Sequence, residues 1–293
     1  MENPGNSDAI TRKYMDSLLV ETRYMDGTLA ETTMEVFGKY YDTPVMTAAL
    51  SHLEGTAPGG MAIYAEGAKK ANALHWVGMG DEKELADILA TGADAVKIVK
   101  PLADHDEIIR ELKNAEEAGC VAVGMDIDHA FSSDGKYDEV FGIPMRAPSQ
   151  EEMATYVKAT NLPFVVKGVM SVTDAVKSKE IGAAGIVVSH HHGMISYSVP
   201  PLMVLPGIVQ EVGDSMCVFV DCGFESGMDV YKALALGAKG VSVGRHLMPY
   251  VKEGSDAVAG RIREMTAELK GIMCRTGVKD LAHMDPTVLH RYV

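Results

Sequence analysis

Eight apolar runs of strand length, each followed by a helical pattern, constrain this chain more than any other feature. They are PVMTAAL (44–50), LHWVGMG (74–80), AVKIVKP (95–101), VAVGMDID (121–128), FVVKGV (164–169), GIVVSH (185–190), VFVDCG (218–223) and GVSVGR (240–245). Short apolar runs rich in β-branched residues and bounded by turn formers read as buried strands. Between them, stretches such as DEKELADILATGA, DHDEIIRELKNAEEAG and SGMDVYKALALGA open on an Asp or Ser cap and close on Gly. Those are the start and stop signals of helices. A last helical pattern runs from about 254 to 277. Alternation of this kind with short connections predicts an α/β fold, the TIM (β/α)8 barrel, in preference to an open doubly wound sheet. One barrel domain is expected over 44–293, preceded by an N-terminal capping segment over 1–43.

In such a barrel the C-terminal strand ends converge on one face, where active sites lie. Here those ends are polar. Lys167 closes the fifth strand, Ser189-His190-His191-His192-Gly193 the sixth, Asp221-Cys222-Gly223 the seventh and Gly244-Arg245 the eighth. Glycine-rich corners after strands seven and eight predict an anion site, because unpaired backbone amides there favour a phosphate. A lysine aimed into a barrel mouth must meet an anion or lose its charge. Three openings follow for Lys167: a Schiff base, a cation beside an anionic ring, or a salt bridge to Asp126 or Asp128. Consecutive histidines on extended backbone alternate faces and cannot all serve one metal, so no metal is expected. One of the three is instead predicted to be a general base whose tautomer an aspartate sets, and the pattern alone does not choose among them. The longest irregular stretch, 129–148, is expected to cover this face as a lid or substrate loop.

A net charge of −14 argues against nucleic acid and anionic membranes as partners and leaves small molecules or other copies of the chain. The apolar runs fall well short of the ~20 residues a membrane span needs. MENPGNSDAITRKY has none of the pattern of a secretory signal. Cys120, Cys217, Cys222 and Cys274 show no metal or disulfide spacing, which predicts a reducing, cytoplasmic setting.

The set KGV (167–169), GIVVSHHHG (185–193) and DCGFESGMDVYKALALGAKGVSVGR (221–245) resembles the FMN-dependent α-hydroxy-acid oxidase/dehydrogenase family. The family pattern there is KGI, IVSNHGGR and DGGxRxGxDVxKALALGAxxVxxGR. The likeness extends to PVMTAALS (44–51) and to AELKGIMCRTGVKDL (267–281). It implies FMN across the strand ends and a homo-oligomer, a tetramer. Ala49, Leu50 and Ser51 are then expected beside the flavin, with Gly78 touching it from the second strand and Lys97 in place of a flavin-contacting Gln. Lys167 would stand at the flavin N1/O2 edge, Ser189 would contact the cofactor, and Asp221, Gly223, Gly244 and Arg245 would hold the ribityl chain and phosphate. His191 matches the family's base. Asp126, where the family has Thr, joins His191 and Lys167 as a candidate catalytic group.

The departures fall on the substrate and phosphate. Met194 replaces the arginine that clamps the substrate carboxylate, Val99 a substrate-binding Tyr, and Glu225 an arginine of the phosphate loop. Met cannot form the bidentate pair. Lys97, Lys100, His129 and Arg146 remain as possible anion contacts. The resemblance therefore implies oxidation of an atypical hydroxy compound, 2-hydroxy-acid-like, by hydride transfer to flavin N5 with a histidine base. Its rivals are an isomerase of the type 2 isopentenyl-diphosphate kind, a flavin-free phosphate-binding barrel enzyme, and a barrel that binds without catalysis.

Overall fold

The computed structural model describes residues 4–292; residues 1–3 of the expected capping segment and Val293 lie outside the described residues. The predicted runs all become strands of one parallel sheet: β1 Val45–Thr47, β2 His75–Val77, β3 Ala95–Val99, β4 Ala122–Asp126, β5 Phe164–Val169, β6 Gly185–Val188, β7 Cys217–Val220 and β8 Gly240–Val243. Their order is β1-β8-β7-β6-β5-β4-β3-β2. The two ends of that order meet where Thr47 N–H donates to Leu74 O at 3.2 Å and Leu50 bridges Val77 in parallel. The result is a TIM barrel.

The helices are α1 Ser7–Ser17, α2 Gly60–Lys70, α3 Glu82–Ala90, α4 His105–Ala118, α5 Gln150–Lys158, α6 Val172–Glu180, α7 Pro201–Val212, α8 Gly227–Ala235, α9 Met248–Val251 and α10 Ser255–Arg275. Their starts follow the caps read from the sequence. Asp81, Asp104, Ser149, Ser171 and Ser226 each accept a backbone N–H of the first turn, and Ser149 with Glu152 completes a capping box.

Period-two alternation divides each strand between barrel interior and helical layer. Met46, Trp76, Val96, Ile98, Val165, Val187 and Phe219 fill the interior, joined by Met34, Val36 and Tyr41 from a hairpin that precedes the barrel. Trp76 meets Phe219 edge-on at 5.4 Å. Both rings are almost wholly buried, and truncating Phe219 to Ala would cost about 3–5 kcal/mol. Above this plug the interior positions turn polar, and the site begins there.

Candidate active site

A bulge in β5 organises the site. The register of β5 against β6 shifts between Lys167 and Val169, with Gly168 between them at φ 94. A Cβ on Gly168 would lie 2.7 Å from Oδ2 of Asp128, so glycine is what lets the end of β4 bring its carboxylate in. The Lys167 ammonium, only 6% exposed, donates to Asp126 Oδ1 at 3.0 Å and lies 3.8 Å from Asp221 Oδ2. Burial alone would lower its pKa, but Asp126, Asp221 and Asp128 outweigh burial and raise it above the ordinary lysine value. A Schiff base needs a neutral amine, so the geometry favours a permanent cation. Asp126 also takes Lys100 Nζ at 2.6 Å. Burial pushes its carboxyl up, yet Lys167 and Lys100 together hold it well below the usual carboxylate range. Asp126 is thus the shared counter-ion of two lysines.

The three histidines part company because His191 and His192 adopt left-handed backbone, φ 47 and 61, instead of an extended run. His190 turns to the N-terminal helix, its Nε2 2.8 Å from Thr11 Oγ1 while Nδ1 accepts from Gly193 N. His192 lies against Arg245. His191 faces Lys167, with Nδ1 3.3 Å from the ammonium and 3.0 Å from Asp128 Oδ1. The carboxylate, closer to Nδ1 than the ammonium, keeps the proton there and leaves the lone pair on Nε2, which faces His129 Nε2 at 3.1 Å. Burial and the Lys167 charge push the His191 pKa down, but hydrogen bonds to Asp126 and Asp128 more than offset them, so it rises above the ordinary value.

Asp126, Asp128, His129 and His191 bring their ligand atoms within 4.8 Å of one another, a spacing a divalent ion could use. Lys100 and Lys167 already neutralise that corner, and a divalent cation would be set against both. The cluster is better suited to moving a proton.

Beside it opens a cavity of about 660 Å³, walled by Ala49 and Leu50 after β1, Lys167, His191, Asp221 and Gly223 after β7, and Gly244 and Arg245 after β8. That volume lies within the roughly 300–1,000 Å³ of small-molecule sites. A flavin mononucleotide suits the wall: a buried ammonium at one end, backbone corners and a guanidinium at the other. A Cβ on Gly244 would come 3.1 Å from Ala48 Cβ, so the β8 corner packs closely on the β1 segment. Cys222, at φ 74, takes a conformation usually left to glycine, and its thiol donates to Asp221 Oδ1 at 3.0 Å.

Other predicted residues support the wall from behind. Gly78 N–H donates to Leu50 O at 2.9 Å, the Gly78 backbone packs against Ser51, and Ser189 Oγ accepts from His191 N at 3.2 Å. Lys97 is a correction. Strand alternation places it on the outer face of β3, where its ammonium donates to Gly78 O at 2.6 Å and lines a separate cavity of about 990 Å³ with Glu84 and Glu111. The inward position belongs to Lys100, because a one-residue slip of register exchanges the two faces. Arg146 is engaged by Glu152 at 2.5 and 3.1 Å.

The N-terminal helix contributes residues that the sequence did not announce. Thr11 holds His190, Arg12 spans Asp229 and Gly223 O, and Asp8 Oδ2 reaches Arg245 Nη2 at 2.7 Å. Helical spacing makes i, i+3 and i+4 neighbours on α1, but nothing local names their distant partners.

The profile of the FMN-dependent dehydrogenase family matches residues 5–150 and 143–291. The chain belongs to that family. FMN is its cofactor, and the chain is an oxidoreductase. It is 28% identical over 291 residues to a 4-hydroxymandelate oxidase of Amycolatopsis orientalis, covering 87% of this chain and 82% of that one. An L-lactate oxidase of a Roseobacter species is 34% identical over 158 residues, which is 53% of this chain and 43% of the relative. Among solved structures, mandelate oxidase with (S)-2-phenylpropionate superposes with a TM-score of 0.89 at 26% identity, covering 99% of this chain and 91% of the other. A mandelate oxidase variant with a monooxide FMN adduct gives 0.89 at 27%, covering 99% and 93%. Within the FMN-dependent dehydrogenase family, then, this chain combines a flavin-sized cavity with Met194 where a cationic clamp is expected, 38% exposed and offering no charge.

Proposed function

We propose that this chain oxidises a 2-hydroxy-acid-like compound to its carbonyl product, with His191 as the base. The observation that carries the reading is the Asp128–His191–Lys167 arrangement at the cavity wall, with Nδ1 tied to Asp128 and the Nε2 lone pair turned to His129, which a substrate hydroxyl would replace. FMN, when bound, would supply the two-electron acceptor for the hydride that leaves the substrate carbon. His191 Nε2 receives the hydroxyl proton, and Asp128 holds the resulting imidazolium. Lys167, kept charged by its carboxylates, places a fixed positive charge on the cavity wall where negative charge builds up.

The substrate's own anion needs a partner other than Met194. Of the four candidates, Lys97 faces another cavity and Arg146 is paired with Glu152, which leaves Lys100 and His129 beside the base. An isomerase acting on a diphosphate would need several uncommitted cations, and here both inward lysines share Asp126. The same reading carries a cytoplasmic homo-oligomer, a tetramer by family likeness, which light scattering would check. No helix among the described residues is long and apolar enough to cross a membrane.

Anaerobic mixing of the purified, flavin-loaded chain with a panel of 2-hydroxy acids and other hydroxy compounds tests the proposal. Bleaching of the flavin absorbance by at least one 2-hydroxy acid is expected. A flavin that dithionite reduces and no hydroxy compound does would overturn it.

A further inference from the structure

The phosphate end of the cavity is short of positive charge. Glu225 occupies the loop after β7, Glu253 lines the same cavity, and Arg245 is already engaged by Asp8 at 2.7 Å. His246 is a further donor residue on this space. His246, the residue after Arg245, lines the cavity, and Arg261 on α10 donates its Nε–H to His246 Nε2 at 2.9 Å.

That contact fixes the tautomer. A guanidinium is protonated at any working pH and can only donate, so His246 Nε2 must be the unprotonated acceptor. The proton therefore sits on Nδ1, which has no hydrogen-bond partner among the described residues. Burial and then the Arg261 charge lower the His246 pKa, against smaller opposing effects of Glu225 and Asp229. The ring thus remains a neutral donor. Arg261 is held in turn, its Nη2 donating to Glu225 O at 2.8 Å and its Nη1 to Glu264 at 3.0 Å. The element that orients His246 is therefore tied to the loop whose acidic side chain opposes a phosphate.

We infer that His246, oriented by Arg261, is a ligand of the FMN phosphate and takes over with a neutral Nδ1–H the contact that Glu225 cannot make. The inference rests on FMN occupying this cavity. His246 would be the binding residue and Arg261 a positioning residue, acting through the imidazole.

Flavin fluorescence quenching on the full-length chain, freed of flavin by dialysis, tests this with FMN and with riboflavin, which lacks the phosphate. A hydrogen bond to a charged group is worth roughly tenfold to a hundredfold in affinity. His246→Ala is expected to weaken FMN by about that factor and leave riboflavin unchanged. His246→Gln, which keeps a neutral N–H donor, should recover part of the loss, and Arg261→Met should reproduce a smaller, equally FMN-selective loss. FMN affinity unchanged in His246→Ala, or FMN and riboflavin weakened alike, would overturn the assignment. A wild-type chain that binds neither flavin would instead refute the cofactor placement on which it rests.

Discussion

His129 and His191 meet Nε2 to Nε2 at 3.1 Å, with the rings edge to face at 4.3 Å. With the His191 proton held on Nδ1 by Asp128, the shared proton belongs to His129, and the lone pair proposed to accept a substrate proton is already capped. Burial, then Lys100 and His191, lower the His129 pKa and favour its neutral form. Substrate binding must therefore exchange one hydrogen bond at His191 Nε2 for another. His129 is the group that gives up that bond.

This separates two substitutions. His191→Ala removes the proposed base and should lower kcat by about 10²–10⁴ while FMN stays bound. His129→Ala should act mainly on KM, raising it by about tenfold for an anionic substrate, since one hydrogen bond to a charged group is lost. Steady-state rates, checked against flavin content, distinguish the two; equal losses of kcat in both would refute the division of labour.

Asp128→Asn should move the acid limb of the rate profile. The base works unprotonated, so activity rises with pH through the His191 pKa. Burial and Lys167 depress that pKa, while Asp126 and Asp128 raise it above the ordinary histidine value. Taking away the Asp128 charge removes a raising influence, and the limb should shift to lower pH while the plateau falls. A limb displaced to higher pH would contradict the assignment of Asp128.

Lys167→Met should destabilise the fold as well as the site. Asp126 would keep Lys100, but Asp221 would lose the ammonium 3.8 Å away and remain buried. Breaking one side of a buried pair costs about 3–5 kcal/mol, and thermal unfolding of the variant should fall by several degrees. A melting temperature equal to wild type would mean that the cation contributes nothing to the carboxylates around it.

Asp8→Asn should tighten FMN. Asp8 is partly exposed and competes for the guanidinium of Arg245. Exposed ion pairs are worth at most about 1 kcal/mol, so the gain should be up to about fivefold. Titration with FMN at low and moderate salt measures it; weaker FMN binding in the variant would show that Asp8 orients the arginine instead.

The barrel was legible because its signals are local. Strand runs, Ser and Asp caps and Gly stops recur along the chain, and each has its physical cause within a few residues. Lys167, His191, Asp221, Gly223 and Arg245 lie at strand ends, and the topology alone brings them to one cavity. What local pattern hid was register and distance. Lys97 and Lys100 differ by whether β3 is counted from one residue or the next, and alternation decides which one enters the barrel. Asp128 was visible as a carboxylate two residues beyond Asp126, hence on the same face of an extended chain. Its service to His191 depends on the bulge at Gly168, which no periodicity reveals. Asp8, Thr11 and Arg12 reach the site from a helix more than a hundred and fifty positions away from their partners.

Leu18–Val20 pairs antiparallel with Leu289–Arg291, directly after the helix that carries Asp8, Thr11 and Arg12. That small ribbon fastens the last turns of the chain to the support of the catalytic loop, through Thr11 to His190 and from there one residue on to His191. Trimming the chain before Leu289 would take away one of the ties of α1, beside those of Thr11 and Arg12, while leaving all eight barrel strands complete. The fault would surface at the flavin pocket, as slack in the loop that carries the base, in a protein whose scaffold still melts as a cooperative unit.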